Sequence, residues 1–376
     1  MADYFGKDVF KLGFGLMRLP KNADGSIDVE QTSKMVDLFM EAGGTYFDTA
    51  YVYDNGESEK AIKQALVDRY PRESYTLCTK INAWLNNPDE EATKQQFQTS
   101  LERTGAKYFD YYLLHSIKEE NRHLYDDYHL WDFVKEQKAK GLIKYFGFSY
   151  HDNPQLLDEI LTEHPEVDFI QLQINYADWD NPDVASRENW EVARKHGVSI
   201  TVMEPVKGGR LADPIPDVKK IFDEANPDAS YASWAIRYVA SLDGIITVLS
   251  GMSNLAQMED NLSYMRDFKP LSEEEQATIR RAQFALSQSD AIRCTACRYC
   301  TEGCPMQIPI PDIFLARNEQ IVYGDMEKGV ALYRKATEGV GKASDCIHCN
   351  QCEGACPQHL PITRFLEESV PYMEAS

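Results

Sequence analysis

Between Lys11 and about Leu262 the chain alternates short β-branched or aromatic runs with longer segments of helical period, the pattern of a parallel α/β fold. Eight such pairs are legible. Predicted strands are Gly13–Met17, Thr45–Ala50, Tyr75–Ile81, Tyr108–His115, Lys144–Ser149, Phe169–Asn175, Ser199–Glu204 and Ile245–Ser250. Helical stretches separate them, such as Ser58–Arg69, with apolar positions at Ala61, Ile62, Ala65 and Leu66, and Asn254–Met265. Right-handed crossovers repeated eight times close naturally into a barrel, so the predicted fold is α/β, a (β/α)8 TIM barrel; an open doubly wound sheet is the competing arrangement. After the eighth unit, Ser272–Ser287 reads as an amphipathic connecting helix that begins at a Ser cap with Glu275 three residues later. The expected domains are therefore a barrel over 1–287 and a small unit over 288–376.

Nine cysteines change the picture of that second unit. Cys78 stands alone, whereas Cys294, Cys297, Cys300 and Cys304, followed by Pro305, have the spacing C-x2-C-x2-C-x3-C-P, and Cys346, Cys349, Cys352 and Cys356, followed by Pro357, repeat it. Such clustering argues for metal rather than disulfides. Thiolates at these intervals can wrap several iron ions, each short interval turning the chain around one cluster while the last cysteine reaches elsewhere. The run resembles that of bacterial two-cluster ferredoxins, in which the fourth cysteine serves the other cluster. The resemblance implies two [4Fe-4S] clusters, one on Cys294, Cys297, Cys300 and Cys356 and one on Cys346, Cys349, Cys352 and Cys304. A pair of zinc ribbons is the competing reading, since four thiolates also suit tetrahedral zinc. The segment between the motifs is long and contains helical stretches such as Asp312–Tyr323 and Lys328–Thr337, so the expected domain is ferredoxin-like and mainly α-helical. His348 and His359 lie close to the ligands, but the thiolate count is complete without them.

In a barrel, active residues belong at the C-terminal ends of strands or in the loops that follow. The second strand reads FDTAYVY, with Asp48 at its end and Tyr53 five residues later; the third ends in TLCTK with Lys80, and the fourth in YYLLHS with His115. Four polar residues thus reach one face from three consecutive strands. Reducing a carbonyl produces an alkoxide, which needs a proton donor at its oxygen, and a phenol of pKa about 10 requires a neighbouring cation to serve near neutrality. Lys80 would lower the Tyr53 pKa, Asp48 would hold Lys80, and His115 would orient the substrate oxygen. Cys78 is expected to be a packed core thiol. Asp48, Tyr53, Lys80 and His115, in this order and on these strands, resemble the catalytic tetrad of the aldo/keto reductase family. The similarity covers roughly residues 8 to 265, and the cysteines that follow point to the ferredoxin-containing branch of that family.

The resemblance implies a nicotinamide cofactor, and the expected contacts are partly altered. Ser149 and Gln171 match positions that hold the nicotinamide amide, but Tyr150 stands where an Asn is expected, and Met203 or Glu204 occupies the place of the aromatic residue that stacks on the nicotinamide. Asp260 and Asn261 match an adenine-binding pair. Gln257 replaces the Arg that grips a 2′-phosphate, and a neutral amide cannot supply that charged bidentate contact, so NADH is favoured over NADPH. Gly208 and Gly209, followed by Arg210, are candidates for close approach to a pyrophosphate. Clusters move single electrons whereas nicotinamide moves a hydride, and a flavin is the usual converter, which makes flavin the alternative cofactor. Trp84, Tyr150, Tyr176 and Trp179 are candidates to line either pocket.

Composition and charge then narrow the partners. A formal charge of −21 disfavours nucleic acid and anionic lipid surfaces and favours a basic partner. The longest apolar stretch, around Gly244 to Met252, is too short to span a bilayer, and the start MADYFGKDVF has no signal-peptide apolar region. The chain is therefore expected to be cytoplasmic, with a small-molecule substrate and a redox protein as partner. Two function classes follow: an iron-sulfur oxidoreductase reducing a carbonyl or related substrate, or an electron-transfer or partner-binding subunit with a flavin-binding or non-catalytic barrel.

Overall fold

The computed structural model of the chain describes residues 9–85 and 89–374. Strands β1 (Leu12–Gly15), β2 (Tyr46–Asp48), β3 (Thr76–Ile81), β4 (Phe109–Ile117), β5 (Ile143–Tyr150), β6 (Phe169–Gln173), β7 (Ser199–Met203) and β8 (Ile245–Ser250) form a closed barrel in sequence order. All pairings are parallel, and β8 returns to β1 with Leu12 beside Val248. The predicted strands are all present: β1, β3, β6 and β7 are shorter by one or two residues, β2 is cut back to Tyr46–Asp48, β8 is unchanged, and β5 extends one residue further at each end. β4 instead runs past His115 to Ile117, with a register shift between Leu114 and Ile117 and a left-handed Ser116 at φ 59°.

Side chains alternate along a strand, so one parity faces the barrel interior. Tyr46, Cys78, Tyr111, Leu113, Phe169, Ile246 and Leu249 pack there as a single cluster, with Tyr111 and Phe169 edge to face at 5.3 Å. Cys78 is completely buried in it, and burial pushes its thiol well up; it is a core residue, as expected. The barrel closes tightly at Gly147, where a Cβ would lie 1.8 Å from the Phe169 carbonyl oxygen. One layer further along the same parity stand Asp48, Lys80, His115, Ser149 and Gln171, two residues beyond Tyr46, Cys78, Leu113, Gly147 and Phe169 respectively. A greasy plug thus supports a polar floor at the C-terminal ends of the strands.

The helices follow the apolar spacing closely. Ser58–Arg69 resolves into an α-helix Glu57–Ile62 and a π-helical turn Lys63–Val67. Asn254 caps Leu255–Met265 by accepting from the Gln257 amide, and the helix Glu273–Ser287 begins at the predicted capping box, with Glu275 N donating to Ser272 Oγ and Ser272 N to Glu275 Oε2. No helix among the described residues is long and apolar enough to cross a membrane.

The chain divides into two compact units. The first comprises the chain up to Asn181, Ala185–Pro205 and Ala232–Gln276; the second takes Pro182–Val184, Val206–Tyr231 and the chain from Ala277 onward. Within the second, helices Ile310–Tyr323, Met326–Ala336 and Ile362–Met373 enclose a core of Ile308, Ile310, Ile313, Phe314, Tyr333, Ile362 and Leu366 together with buried cysteines. The two cysteine motifs are duplicates in three dimensions as well. Left-handed residues recur at matching offsets, Ala296, Arg298 and Gln307 in the first and His348, Asn350 and His359 in the second. His348 and His359 therefore sit where the backbone turns around its thiols, in positions costly for most side chains.

Candidate active site and thiol centres

Lys80 is fully buried at the end of β3, and its ammonium is held by Asp48 Oδ1 and by the Thr49 carbonyl, both at 2.6 Å. A buried charge of this kind persists only when paired. The ammonium also lies 4.7 Å from the centroid of the Tyr53 ring. The Tyr53 ring in turn meets His115 edge to face at 5.9 Å. The four residues singled out from the sequence are thus brought together, on strand ends and the loop after β2.

The electrostatics differ in one respect from expectation. The Tyr53 phenol is pushed well above its ordinary value, first by burial and then by the Asp48 carboxylate, the Cys78 thiol and the Glu204 carboxylate, whereas Lys80 is expected from the sequence to lower it. The charge of Lys80 is already directed at Asp48 and the Thr49 carbonyl. Tyr53 is consequently a neutral phenol with its proton in place. His115 is pushed well below its ordinary value by burial, by Lys80 and by His151, so its ring is neutral near pH 7. Its Nδ1 is buried and has no hydrogen-bond partner among the described residues.

Further residues fix this floor. Gln171 Nε2 donates to the second Asp48 oxygen at 3.4 Å, and Ser149 Oγ accepts from the Ser116 amide at 2.7 Å. Trp84 Nε1 donates to the His115 carbonyl at 3.1 Å, and the Tyr125 hydroxyl donates to the same oxygen. Tyr125 was not singled out from the sequence. Among the four aromatic candidates, only Trp84 stands beside His115, with ring centroids 6.5 Å apart. Tyr150 is buried with its hydroxyl on the Asn153 carbonyl, Tyr176 packs on Tyr238, and Trp179 packs on Trp190 and Tyr238.

The remaining cofactor candidates lie elsewhere along the chain. Gln257 is exposed, its Oε1 accepting from the Ser253 amide at 2.7 Å. Asn261 is buried and bridges Ser250 Oγ at 2.7 Å and the Tyr264 hydroxyl at 2.6 Å, while Asp260 is half-buried beside it. Gly208 and Gly209 belong to the second unit. Gly208 has φ 66°, and a Cβ there would come 2.0 Å from the Thr295 carbonyl oxygen. Its neighbour Arg210 donates from Nε to the Cys294 carbonyl.

The eight clustered thiols fall into two quartets. Cys294, Cys297, Cys300 and Cys356 line one hollow of about 310 Å³, and Cys304, Cys346, Cys349 and Cys352 line another of about 320 Å³, both volumes including space open to solvent. In each hollow three cysteines come from one motif and the fourth from the other. Each hollow, lined by four thiols among mostly apolar neighbours, fits a polynuclear iron-sulfur group. The donor set fits too. Burial and then the neighbouring thiols Cys297 and Cys294 push the Cys300 thiol well up, and Cys352 is pushed up to about 11 by burial first, so holding four thiolates together requires added positive charge.

Comparison with known proteins places both regions. Residues 11–283 match the aldo/keto reductase family and residues 293–360 a 4Fe-4S dicluster domain. The chain is 23% identical over 298 residues to the uncharacterized oxidoreductase YqkF of Bacillus subtilis, covering 71% of this chain and 90% of that one. It is 26% identical over 274 residues to the 9,11-endoperoxide prostaglandin H2 reductase of Trypanosoma cruzi, covering 72% and 86%. The holo form of an aldo-keto reductase from Bacillus halodurans superposes with a TM-score of 0.60 at 26% identity, covering 72% of this chain and 91% of that structure. An aldo/keto reductase from Klebsiella pneumoniae, solved with NADP and acetate, shares the fold with a TM-score of 0.60 at 20% identity over 73% and 91%. The chain belongs to the aldo/keto reductase family and is an oxidoreductase that joins that family's barrel to a C-terminal 4Fe-4S dicluster domain.

Proposed function

We propose that the barrel reduces the carbonyl group of a small molecule, with Tyr53 as the acid, and that two [4Fe-4S] clusters in the same chain relay electrons to or from a redox protein partner in the cytoplasm. The observation that carries the reading is the buried Lys80–Asp48 pair under the Tyr53 ring, with neutral His115 at its edge. A reduced nicotinamide supplies a hydride when bound. As the carbonyl carbon accepts that electron pair, its oxygen becomes an alkoxide and takes the Tyr53 proton. Lys80 stabilises the phenolate left behind, and Asp48 holds Lys80 in place. His115, with its carbonyl fixed by Trp84 and Tyr125, orients the substrate oxygen through its ring. Ser149 and Gln171 would hold the nicotinamide amide, and Asp260 and Asn261 the adenine. Anaerobic oxidation of NADH, followed with a panel of small aldehydes and ketones and with or without reduced ferredoxin, tests the reading; carbonyl-dependent turnover is expected, and its absence across the panel would defeat it.

Gln257, at the position that the resemblance assigns to the 2′-phosphate, is neutral and exposed, which supports a preference for NADH over NADPH. Gln257→Arg should move the ratio of the two dissociation constants towards NADPH by about tenfold, the worth of one charge-assisted contact. Fluorescence titration checks this, and a native chain that binds NADPH far more tightly would contradict it.

For the thiols, the two quartets support one cluster on Cys294, Cys297, Cys300 and Cys356 and the other on Cys346, Cys349, Cys352 and Cys304. Each supplies single-electron transfer when bound. Cys304→Ser should remove the second cluster and spare the first, lowering iron from about eight to about four per chain. Loss of the first cluster alone would reverse the crossing.

A second reading has its own observation. Met203 ends β7 and Glu204 follows it, where a stacking aromatic side chain would serve a nicotinamide, and this favours a flavin, or an electron-transfer subunit with a non-catalytic barrel. Analysis of cofactor released from anaerobically purified protein separates the two.

A further inference from the structure

Gln358, two residues beyond Cys356, is only 4% exposed and lines the first thiol hollow. Its Oε1 accepts from Lys207 Nζ at 2.8 Å, while its Nε2 is buried without an acceptor among the described residues. An ammonium group can only donate, so the amide oxygen must face Lys207 and the NH2 must face away from it. A buried donor left unpaired loses its hydration with nothing in return. Such a group at the wall of a hollow points to a partner that the polypeptide does not supply.

Lys207 is itself buried, with a left-handed backbone at φ 49°. Two contacts within the same compact unit hold its segment against the first cysteine motif. Gly208 lies so close to the Thr295 carbonyl that no side chain fits, and Arg210 Nε donates to the Cys294 carbonyl. The second hollow has no counterpart: no Lys or Arg is among its lining residues, whereas Arg298 also lines the first.

We propose that Lys207 and Gln358 set the reduction potential of the cluster held by Cys294, Cys297, Cys300 and Cys356, with Gln358 Nε2 donating a hydrogen bond to a sulfur of that cluster. Lys207 is the positioning residue: it fixes which end of the amide faces the hollow and adds a buried positive charge behind it. The inference rests on the reading of the thiol quartets as cluster sites. Reduction adds one electron, and so one negative charge, to the cluster, and a donor with a cation behind it stabilises the reduced form more than the oxidised one. No bond breaks and no proton is transferred. The pair raises one potential and leaves the other alone.

The test is an anaerobic redox titration of the full chain, followed by electron paramagnetic resonance, with iron and sulfide measured on every sample. Gln358→Glu keeps the length of the side chain and an acceptor for Lys207 but removes the donor. One of the two midpoints should fall by an amount equivalent to a tenfold change in the reduction equilibrium, about 59 mV for one electron, with the other unmoved. Lys207→Met should shift the same midpoint in the same direction even if Gln358→Glu does not load its clusters, and Lys207→Arg should restore most of it. Fully loaded variants with both midpoints unmoved, or with both moved equally, overturn the inference while leaving the cluster sites intact. A native chain without any iron-sulfur signal overturns the cluster reading and this inference with it.

Discussion

Tyr53→Phe is expected to lower kcat for carbonyl reduction by about 10²–10⁴-fold, the range for losing a positioned general acid, with nicotinamide affinity nearly unchanged. The reason is geometric. The substitution removes one oxygen atom and leaves the ring, which lies over Lys80 and against His115, free to keep its packing. The hydroxyl acts on the substrate oxygen, so the loss falls on the chemical step. Steady-state kinetics with NADH, together with nucleotide binding by fluorescence, separate the two quantities. A variant that retains most of its kcat would remove Tyr53 as the acid, and one that loses nucleotide binding instead would move it into the cofactor site.

Lys80→Met should cost the barrel about 3–5 kcal/mol, because it strands a carboxylate in the interior. The side chains of Lys80 and Asp48 are 0% and 4% exposed. Without the ammonium, Asp48 keeps the long contact from Gln171 and the weak donor of the Cys78 thiol. The Asp48 carboxyl must then take up a proton or the fold must open. Adding Asp48→Asn should recover much of the loss, since a neutral amide removes the unpaired charge. Urea unfolding monitored by tryptophan fluorescence measures both. A loss below about 1 kcal/mol in the single variant would mean that the pair is solvated and weak.

Much of this was legible before any coordinates. The strands were readable because each is a short β-branched run between helical segments, and the tetrad because polar residues at consecutive strand ends have few reasons to be there. The crossing of Cys304 and Cys356 between the two quartets is what the resemblance to two-cluster ferredoxins implies. Other features depend on partners far along the chain. Gly208 and Gly209 read the same in sequence whether a phosphate or a carbonyl approaches, and nothing in the order of residues pairs 207–210 with 294–295 and 358. The membership of Val206–Tyr231 in the second compact unit is hidden for the same reason. Tyr53's upward shift was missed because the sequence presents Lys80 as a free cation, whereas the fold commits it to Asp48 and the Thr49 carbonyl. Tyr125 was invisible because its role is a hydroxyl on a backbone oxygen ten residues away.

The central claim is that one chain joins Tyr53-dependent carbonyl reduction to two clusters. It is tested most directly by adding NADH and the aldehyde and ketone panel to anaerobically purified protein and following NADH oxidised, alcohol formed and the cluster absorbance in one sample. One hydride and the Tyr53 proton convert one carbonyl to one alcohol, so the account predicts one alcohol per NADH, lost in Tyr53→Phe, from a chain whose two clusters are bleached by a reduced redox partner. Turnover that survives Tyr53→Phe, or active protein without any iron-sulfur absorbance, would contradict it.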